Sequence, residues 1–228
     1  MIVQTITIYH CRMEASLIPV KVSEKSIRRL SHYARCLRLA GIRGEVIMTS
    51  QQLASNCGIS SAAVRRDLSI YGEFGKQGSG YRVDDLLTNI QNILGTTDPP
   101  PVIIVGAGSI GCGLMISGLT GTGGYEYAAI YDKDPKKIGS LCGEMQVRST
   151  EEIPEIVKMK KEVIAVIAVS TGAGQEAMDM LVSAGCKAIL SFTLEPLRAP
   201  DDVEVRYVEV STELDVLTHS MRRKEVLK

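Results

Sequence analysis

The stretch Pro101–Asp132, PVIIVGAGSIGCGLMISGLTGTGGYEYAAIYD, limits the folds open to this chain more than any other. An apolar, β-branched run, Val102-Ile103-Ile104-Val105, leads into Gly106-Ala107-Gly108-Ser109-Ile110-Gly111. A second apolar run, Tyr127 to Tyr131, stops at Asp132, 21 residues after the third glycine. Alone, G-x-G-x-x-G is a weak signal. Between a strand and a helix, with an acid closing the next strand, it marks a dinucleotide-binding βαβ unit. Gly106 lets the chain turn off the strand, Gly108 lets backbone approach a pyrophosphate, and Gly111 lets helix and strand pack closely. The helix starting near Ser109 aims its free N–H groups and the positive end of its dipole at the phosphates. Asp132 is expected to accept hydrogen bonds from the adenosine ribose. A carboxylate there repels a 2′-phosphate and so favours NAD(H) over NADP(H).

The rest of the second half keeps the same alternation. Ile138–Cys142 reads as a short helix, Met145–Val147 as a brief third strand, and Thr150–Lys158 as a helix capped by Thr150. Val163–Val169 is a continuous apolar run, as in a strand buried on both faces of a parallel sheet. It ends at Ser170-Thr171. Gln175–Ala184 is helical, Ala188–Phe192 and Val205–Val208 are strands, and Ser211–Met221 is a last helix with Leu214, Leu217 and Met221 on one side. The pattern is that of a Rossmann doubly wound parallel sheet. Such sheets bind ligand at the carboxyl ends of their strands, which turns Ser170, Thr171 and Lys133 toward the pocket.

The first half has a different character. Residues 1–95 carry 12 Lys and Arg against 7 Asp and Glu, whereas residues 96–228 carry 14 against 19. The zero net charge of the whole therefore hides a basic half and an acidic half, and the basic half is the one suited to a polyanion. Ser23–Leu39 reads as an amphipathic helix ended by Gly41. Thr49 and Gln52 form a capping box for a short second helix. Small Ala54, Gly58 four residues on, and Val64 six further follow the internal logic of a helix-turn-helix. Ser60 or Ser61 caps the second helix of the pair. Its outward N-terminal residues Ser60, Ser61 and Ala62 are placed to reach base edges, with Arg65 and Arg66 on phosphates or guanine edges. Tyr71–Arg82 holds four glycines in the nine residues from Gly72 to Gly80 and reads as a short hairpin, a wing, whose Lys76, Gly78 and Tyr81 face DNA. Another helix follows from Asp84-Asp85. Gly95-Thr96-Thr97-Asp98-Pro99-Pro100-Pro101 then forms a semi-rigid linker.

The expected fold is thus α/β: an extension (1–17), a winged-helix DNA-binding domain (18–95), a linker (96–101), a Rossmann NAD(H)-binding domain (102–208) and a C-terminal helix (209–228). Six cysteines without C-x-x-C or zinc spacing point to reduced, buried thiols in a cytoplasmic protein, with no metal site. No run reaches membrane-spanning length, and the start lacks the basic region of a signal peptide.

Together these residues resemble the Rex family of redox-sensing transcriptional repressors. The resemblance runs from about Ile18 to Met221. It is most specific over Val64–Tyr81, VRRDLSIYGEFGKQGSGY, and extends to Gly106–Gly111, Tyr131–Pro135 and Ala188–Thr193. It implies a homodimer whose C-terminal helix is swapped onto the partner. Such a dimer holds an inverted-repeat operator and leaves it when NADH binds. It also implies a switch in which the acid before the last helix, here Glu209 in place of the family's aspartate, exchanges partners with Arg29. Ser117 stands where the family often has a tyrosine near the nicotinamide.

Two other functions fit parts of the chain. A winged-helix regulator could sense another nucleotide such as an acyl-CoA. An NAD-dependent oxidoreductase would need a proton-transfer group beside the nicotinamide. The three histidines, His10, His32 and His219, follow no strand of the sheet, and no Y-x-x-x-K occurs. The chain is therefore read as a regulator with no catalytic residues.

Overall fold

A computed structural model describes residues 5–6, 22–74, 79–117 and 124–226. The chain forms two compact units whose main division falls between Pro99 and Pro100.

In the first unit, β1 (Thr5–Ile6) pairs antiparallel with β2 (Val22–Ser23). Helix α1 (Glu24–Ile42) begins where the Ser23 hydroxyl accepts from the Ser26 amide at 3.2 Å. It runs through Gly41 and stops before Gly44, whose φ of +76° breaks the helical path. Its buried stripe, Leu30, Tyr33, Ala34, Leu37 and Ala40, recurs at three- and four-residue steps and packs on α4 (Val83–Leu94). Helix α2 (Ser50–Cys57) carries the full Thr49–Gln52 capping box. Gly58, left-handed at φ +67°, turns the chain into α3 (Ser61–Ser69), which Ser60 caps through the Ala63 amide. Buried Leu53, Ala54, Val64 and Leu68 hold α2 and α3 on the same core.

The wing departs from the expected hairpin. β4 (Tyr81–Arg82) pairs antiparallel with β3 (Ile47–Met48), upstream of α2, and residues 71–74 hold no strand. Gly72 at φ +135° ends any extended run there. Gly80, at φ +74°, lies so close to β3 that a Cβ would meet Ile47 Cγ2 at 3.0 Å and Met48 O at 3.1 Å. Lys76 and Gly78, expected at the wing tip, lie outside the described residues.

The second unit is a seven-stranded sheet. Its strands are β5 (Val102–Val105), β6 (Tyr127–Asp132), β7 (Leu141–Cys142), β8 (Met145–Ser149), β9 (Ile164–Ile167), β10 (Ala188–Ser191) and β11 (Glu204–Tyr207). They lie in the order β11-β10-β9-β5-β6-β8-β7, all parallel except β7. The order reverses direction between β5 and β9, which is where a doubly wound sheet opens a crevice. One face of the sheet carries α6 (Ile153–Lys160) and α7 (Gly174–Ser183) over a core of Ile103, Val105, Tyr131, Ala165, Ile167, Met178 and Leu181. On the other, α5 (Ser109–Ser117) flanks Val102, Ile104, Ile130 and Val166. Beyond α5 that second face keeps an apolar groove of about 350 Å³ floored by Ile164, Val166, Leu190 and Phe192. The last helix, α8 (Val210–Val226), leaves the sheet, and each of residues 210–223 is exposed.

Two expectations need correction here. Ile138–Cys142 is not a helix: Gly139 at φ +85° and Gly143 at φ +62° make turns, and Leu141–Cys142 pairs with Met145–Gln146 as an edge hairpin. The cysteines are not all reduced either. Cys112 on α5 and Cys142 on β7 form a disulfide, their Cα atoms 5.1 Å apart, within bridging distance. Cys36, Cys57 and Cys186 are free thiols.

Candidate functional site

In the first unit, α3 presents its N-terminus to solvent. Ser60, Ala62, Arg65 and Arg66 are exposed and Ser61 is half-buried. The Arg65 guanidinium donates to Ser50 Oγ at 3.2 Å, which ties α3 to the start of α2. The Tyr81 ring packs on the domain core, so its bulk supports the wing base. Behind α3 stands a polar knot that spacing did not disclose. Asp67, 3% exposed, takes two bonds from Arg29, at 2.6 and 2.7 Å, and one from the Tyr33 hydroxyl at 2.7 Å. Burial pushes the Asp67 carboxyl upward, but the donors from Arg29 and Tyr33 outweigh it and hold it below the usual range. Arg29 is thus engaged inside its own unit. Glu209 likewise accepts from the Thr212 hydroxyl at 2.8 Å, at the start of α8.

In the second unit, a cleft of about 400 Å³ opens where β5 and β9 end. Gly106, Gly108, Ser109, Ile110, Asp132, Lys133 and Ser170 line it. The three glycines divide their work. A Cβ on Gly106 would meet Ala168 O at 2.5 Å, and one on Gly111 would meet Gly106 O at 2.0 Å. Both positions are close-packed backbone. A Cβ on Gly108 would meet nothing within 4 Å, so this is the point at which the loop faces open space. The first amides of α5 have no carbonyl a turn back to accept them and are left for an anion.

Asp132 is less free than a bare carboxylate at a strand end. It accepts from the Ala107 amide at 2.9 Å, the Asp134 amide at 2.9 Å and Lys137 Nζ at 2.8 Å. Burial raises its pKa, but Lys137 and the two amides win and hold it below the ordinary value. A carboxylate offers about four acceptor positions, so about one remains for a ribose hydroxyl; a second hydroxyl must displace Lys137. Ala107 therefore serves through its amide, which locks the glycine loop to β6. Thr171 is exposed beyond the cleft wall, and Ser117 ends α5 with its hydroxyl turned back to Leu114 O at 3.1 Å.

Several cleft residues were not legible beforehand: Lys137, Thr150, Ala173, Glu176, Ala177 and Met180. Lys133 and Glu176 pair at 2.6 Å, both exposed. The acid in the first turn of α7 was visible in the sequence, but its partner 43 residues away was not. Among the described residues, no group of three His, Cys, Asp or Glu could hold a metal ion. No helix among them is long and apolar enough to cross a membrane.

A helix-turn-helix unit joined to a Rossmann unit with an open dinucleotide cleft defines a class: DNA-binding proteins with a nucleotide-sensing domain. Residues 21–69 match a family model described as a putative DNA-binding protein N-terminus, and residues 97–195 match a CoA binding domain. The redox-sensing transcriptional repressor Rex of Desulforamulus reducens is 39% identical over 206 residues, 90% of this chain and 98% of that one. The crystal structure of RSP in complex with β-NAD⁺ and operator DNA superposes with a TM-score of 0.79 at 30% identity, covering 90% of this chain and 95% of that one. That of RSP in complex with β-NADH gives 0.77 at 28% identity, covering 90% and 97%. The chain belongs to the Rex family of redox-sensing transcriptional repressors.

Proposed function

We propose that this protein is a transcriptional repressor that holds operator DNA and releases it when NADH fills the Rossmann cleft. It is a regulator rather than an enzyme, and its output follows the NADH/NAD⁺ ratio. The observation that carries this is the pairing, in one chain, of an exposed, serine-capped α3 with a cleft whose glycine loop is bolted to Asp132. RSP, which the chain matches over nine-tenths of its length, is known in both an operator-bound and an NADH-bound form.

The residues divide as follows. The first amides of α5 would hold the pyrophosphate, with Gly108 giving clearance. Asp132, kept ionised by Lys137 and the Ala107 amide, would take the adenosine ribose and repel a 2′-phosphate. Ser170 would face the nicotinamide end. The bound group supplies the signal: its ring is positive when oxidised and neutral when reduced. On the DNA side, Ser60, Ser61, Ala62, Arg65 and Arg66 would meet the major groove, with Lys76 and Gly78 at the wing.

The working form is a dimer with exchanged C-terminal helices. In α8, Val210, Leu214, Leu217 and Met221 form one apolar stripe and are 56–68% exposed. The sheet of the same unit keeps an apolar groove that no described helix of the unit covers. A stripe and a groove left open within one copy are satisfied by the swap. Two copies of α3 read adjacent major grooves only when about 34–36 Å apart, so a dimer that closes changes its grip. To go from nearly all bound to nearly all free, NADH must favour the closed form by about 10⁴-fold, near 5.5 kcal/mol. Arg29 and Glu209 are the proposed switch pair. Arg29 can take part only by leaving or sharing Asp67, a bidentate bond it holds at 2.6–2.7 Å.

The test is a mobility shift on inverted-repeat DNA with NAD⁺ and NADH added in turn. Retention with NAD⁺ and release with NADH are expected; equal retention with both overturns the proposal. The match to a CoA binding domain favours one rival, a sensor of coenzyme A. Release by coenzyme A but not NADH in the same assay would establish it.

A further inference from the structure

The connection from β10 to β11, residues 192–203, contains no described helix, whereas the β5–β6, β8–β9 and β9–β10 connections each carry one. It is nevertheless held firmly, and what holds it lies against the cleft. The Glu195 carboxylate accepts from the Gly172 amide at 3.1 Å and the Gly174 amide at 3.0 Å. These two glycines flank Ala173, which with Ser170 lines the cleft wall. Gly174 exists to make room: a Cβ there would stand 2.6 Å from Glu195 Oε1 and 3.0 Å from both Leu197 Cδ2 and Thr193 Cγ2. The next residue adds a second tie. The Gln175 side chain donates from Nε2 to Arg198 O at 2.9 Å and accepts at Oε1 from Arg198 N at 2.8 Å.

The same loop is also bound on its far side. The Leu197 amide donates to the Tyr207 hydroxyl at 2.8 Å. Tyr207 is the last residue of β11, two before Glu209 and three before the start of α8. An unbroken path of hydrogen bonds and short stretches of backbone therefore joins Ser170–Ala173 to Glu195, Leu197, Tyr207 and the root of α8. Its links are hydrogen bonds made at a loop, through the exposed Glu195 carboxylate contacts and the Tyr207 hydroxyl, so they can change partners without unfolding the sheet. Glu195 has another effect. It satisfies the first N–H of α7, that of Gly174, with a carboxylate at the positive end of the helix.

We infer that Glu195 and Tyr207 are positioning residues for the NADH response: they transmit the state of the cleft wall at Ser170–Ala173 to the base of α8. The inference rests on the repressor function and helix exchange proposed above. A two-sided loop of this kind matters only if the ligand and DNA sites bias the same element.

The test measures the NADH dissociation constant of the full-length protein with and without operator DNA; the ratio of the two is the coupling between the sites. It is done on wild type, Tyr207→Phe and Glu195→Gln, each checked for an unchanged melting temperature. Tyr207→Phe removes a single oxygen at an exposed position and should fold as wild type. Expected is a ratio at least about tenfold smaller in both variants, with NADH affinity in the absence of DNA within about threefold of wild type. Glu195→Asp, which keeps the carboxylate, should regain part of the ratio. A full ratio in Tyr207→Phe and Glu195→Gln overturns the relay and leaves the repressor function standing. So does a Glu195→Gln protein that loses NADH affinity equally with and without DNA. A ratio of one in the wild type itself instead sinks the function proposed above, and the relay with it.

Discussion

Each unit of this protein buries one aspartate, and the two are put to opposite uses. Asp67 is 3% exposed and Asp132 is 7% exposed, and both are held ionised against burial. The partners make the difference. Asp67 is met by side chains, Arg29 and Tyr33, deep behind α3, and its acceptors are spent on joining α1 to α3. Asp132 is met mostly by backbone, the amides of Ala107 and Asp134, at the lip of a cleft. A carboxylate on one helix satisfied by side chains of another locks a domain. A carboxylate satisfied by loop amides shapes the loop and keeps a share of its capacity for a ligand. The basic unit is therefore built shut and the acidic unit is built open.

That contrast breaks most sharply where each unit is fastened. The Cys112–Cys142 disulfide closes a span of 30 residues that includes β6 and Asp132. Reducing it should cost the second unit roughly 3–4 kcal/mol by the chain-entropy relation. Calorimetry with and without dithiothreitol should lower only the transition that NADH raises. Equal loss in both transitions would mean that the bond braces more than the open unit. Asp67→Ala should do the reverse. It leaves Arg29 without its partner and the Tyr33 hydroxyl without an acceptor, at a cost of about 3 kcal/mol to the first unit. NADH binding should be unchanged, and a parallel loss of NADH affinity would refute the division of labour.

Asp132→Asn sharpens the same comparison at smaller size. The amide cannot accept at both oxygens, so the Ala107 and Lys137 bonds weaken and the glycine loop loosens. NADH affinity should fall by about tenfold, or 1.4 kcal/mol, while operator binding without ligand stays as it was. The chain has no tryptophan, so NADH fluorescence can be followed without indole background. Undiminished NADH affinity would remove Asp132 from the ligand's contacts.

The split between what could and could not be foreseen follows range along the chain. The α2–α3 turn was legible because Thr49, Gln52, Gly58 and Ser60 act on neighbours three or four residues away. The glycine loop was legible for the same reason, and β5 because a continuous buried run has few alternatives. The wing was misread because Tyr81–Arg82 pairs with Ile47–Met48 across α2 and α3, and nothing in Tyr71–Gly80 records that. The short helix expected over Ile138–Cys142 failed against two positive-φ glycines, whose turns outweighed a weak apolar pattern. Lys137 at Asp132, Glu195 at Gly172, Asp67 at Arg29 and Cys112 at Cys142 belong together only through tertiary packing. Side-chain partners 5 to 38 residues apart leave no periodic trace.

The smallest effect concerns acid. Both aspartates have folded pKa values below the ordinary value near 3.9, so at mildly acidic pH the unfolded chain binds more protons than the folded one. Their stabilisation is complete above that ordinary value and is lost as pH falls through the folded values. Between pH 7 and pH 5 neither aspartate should change the stability of either unit. Below about pH 4, wild type should lose stability faster than Asp67→Asn in the first transition and faster than Asp132→Asn in the second. The other bond Arg29 makes, to the Ser26 hydroxyl at 3.2 Å, lies within α1, so protonation of Asp67 releases the α1–α3 junction at once. Lys137 lies at the lip of a cleft and returns to water when Asp132 is protonated, so the second transition should show the shallower acid limb. Urea midpoints taken at pH 3, 5 and 7 for the three proteins decide it: equal acid limbs in both transitions would show that the two aspartates carry the same load despite their different surroundings.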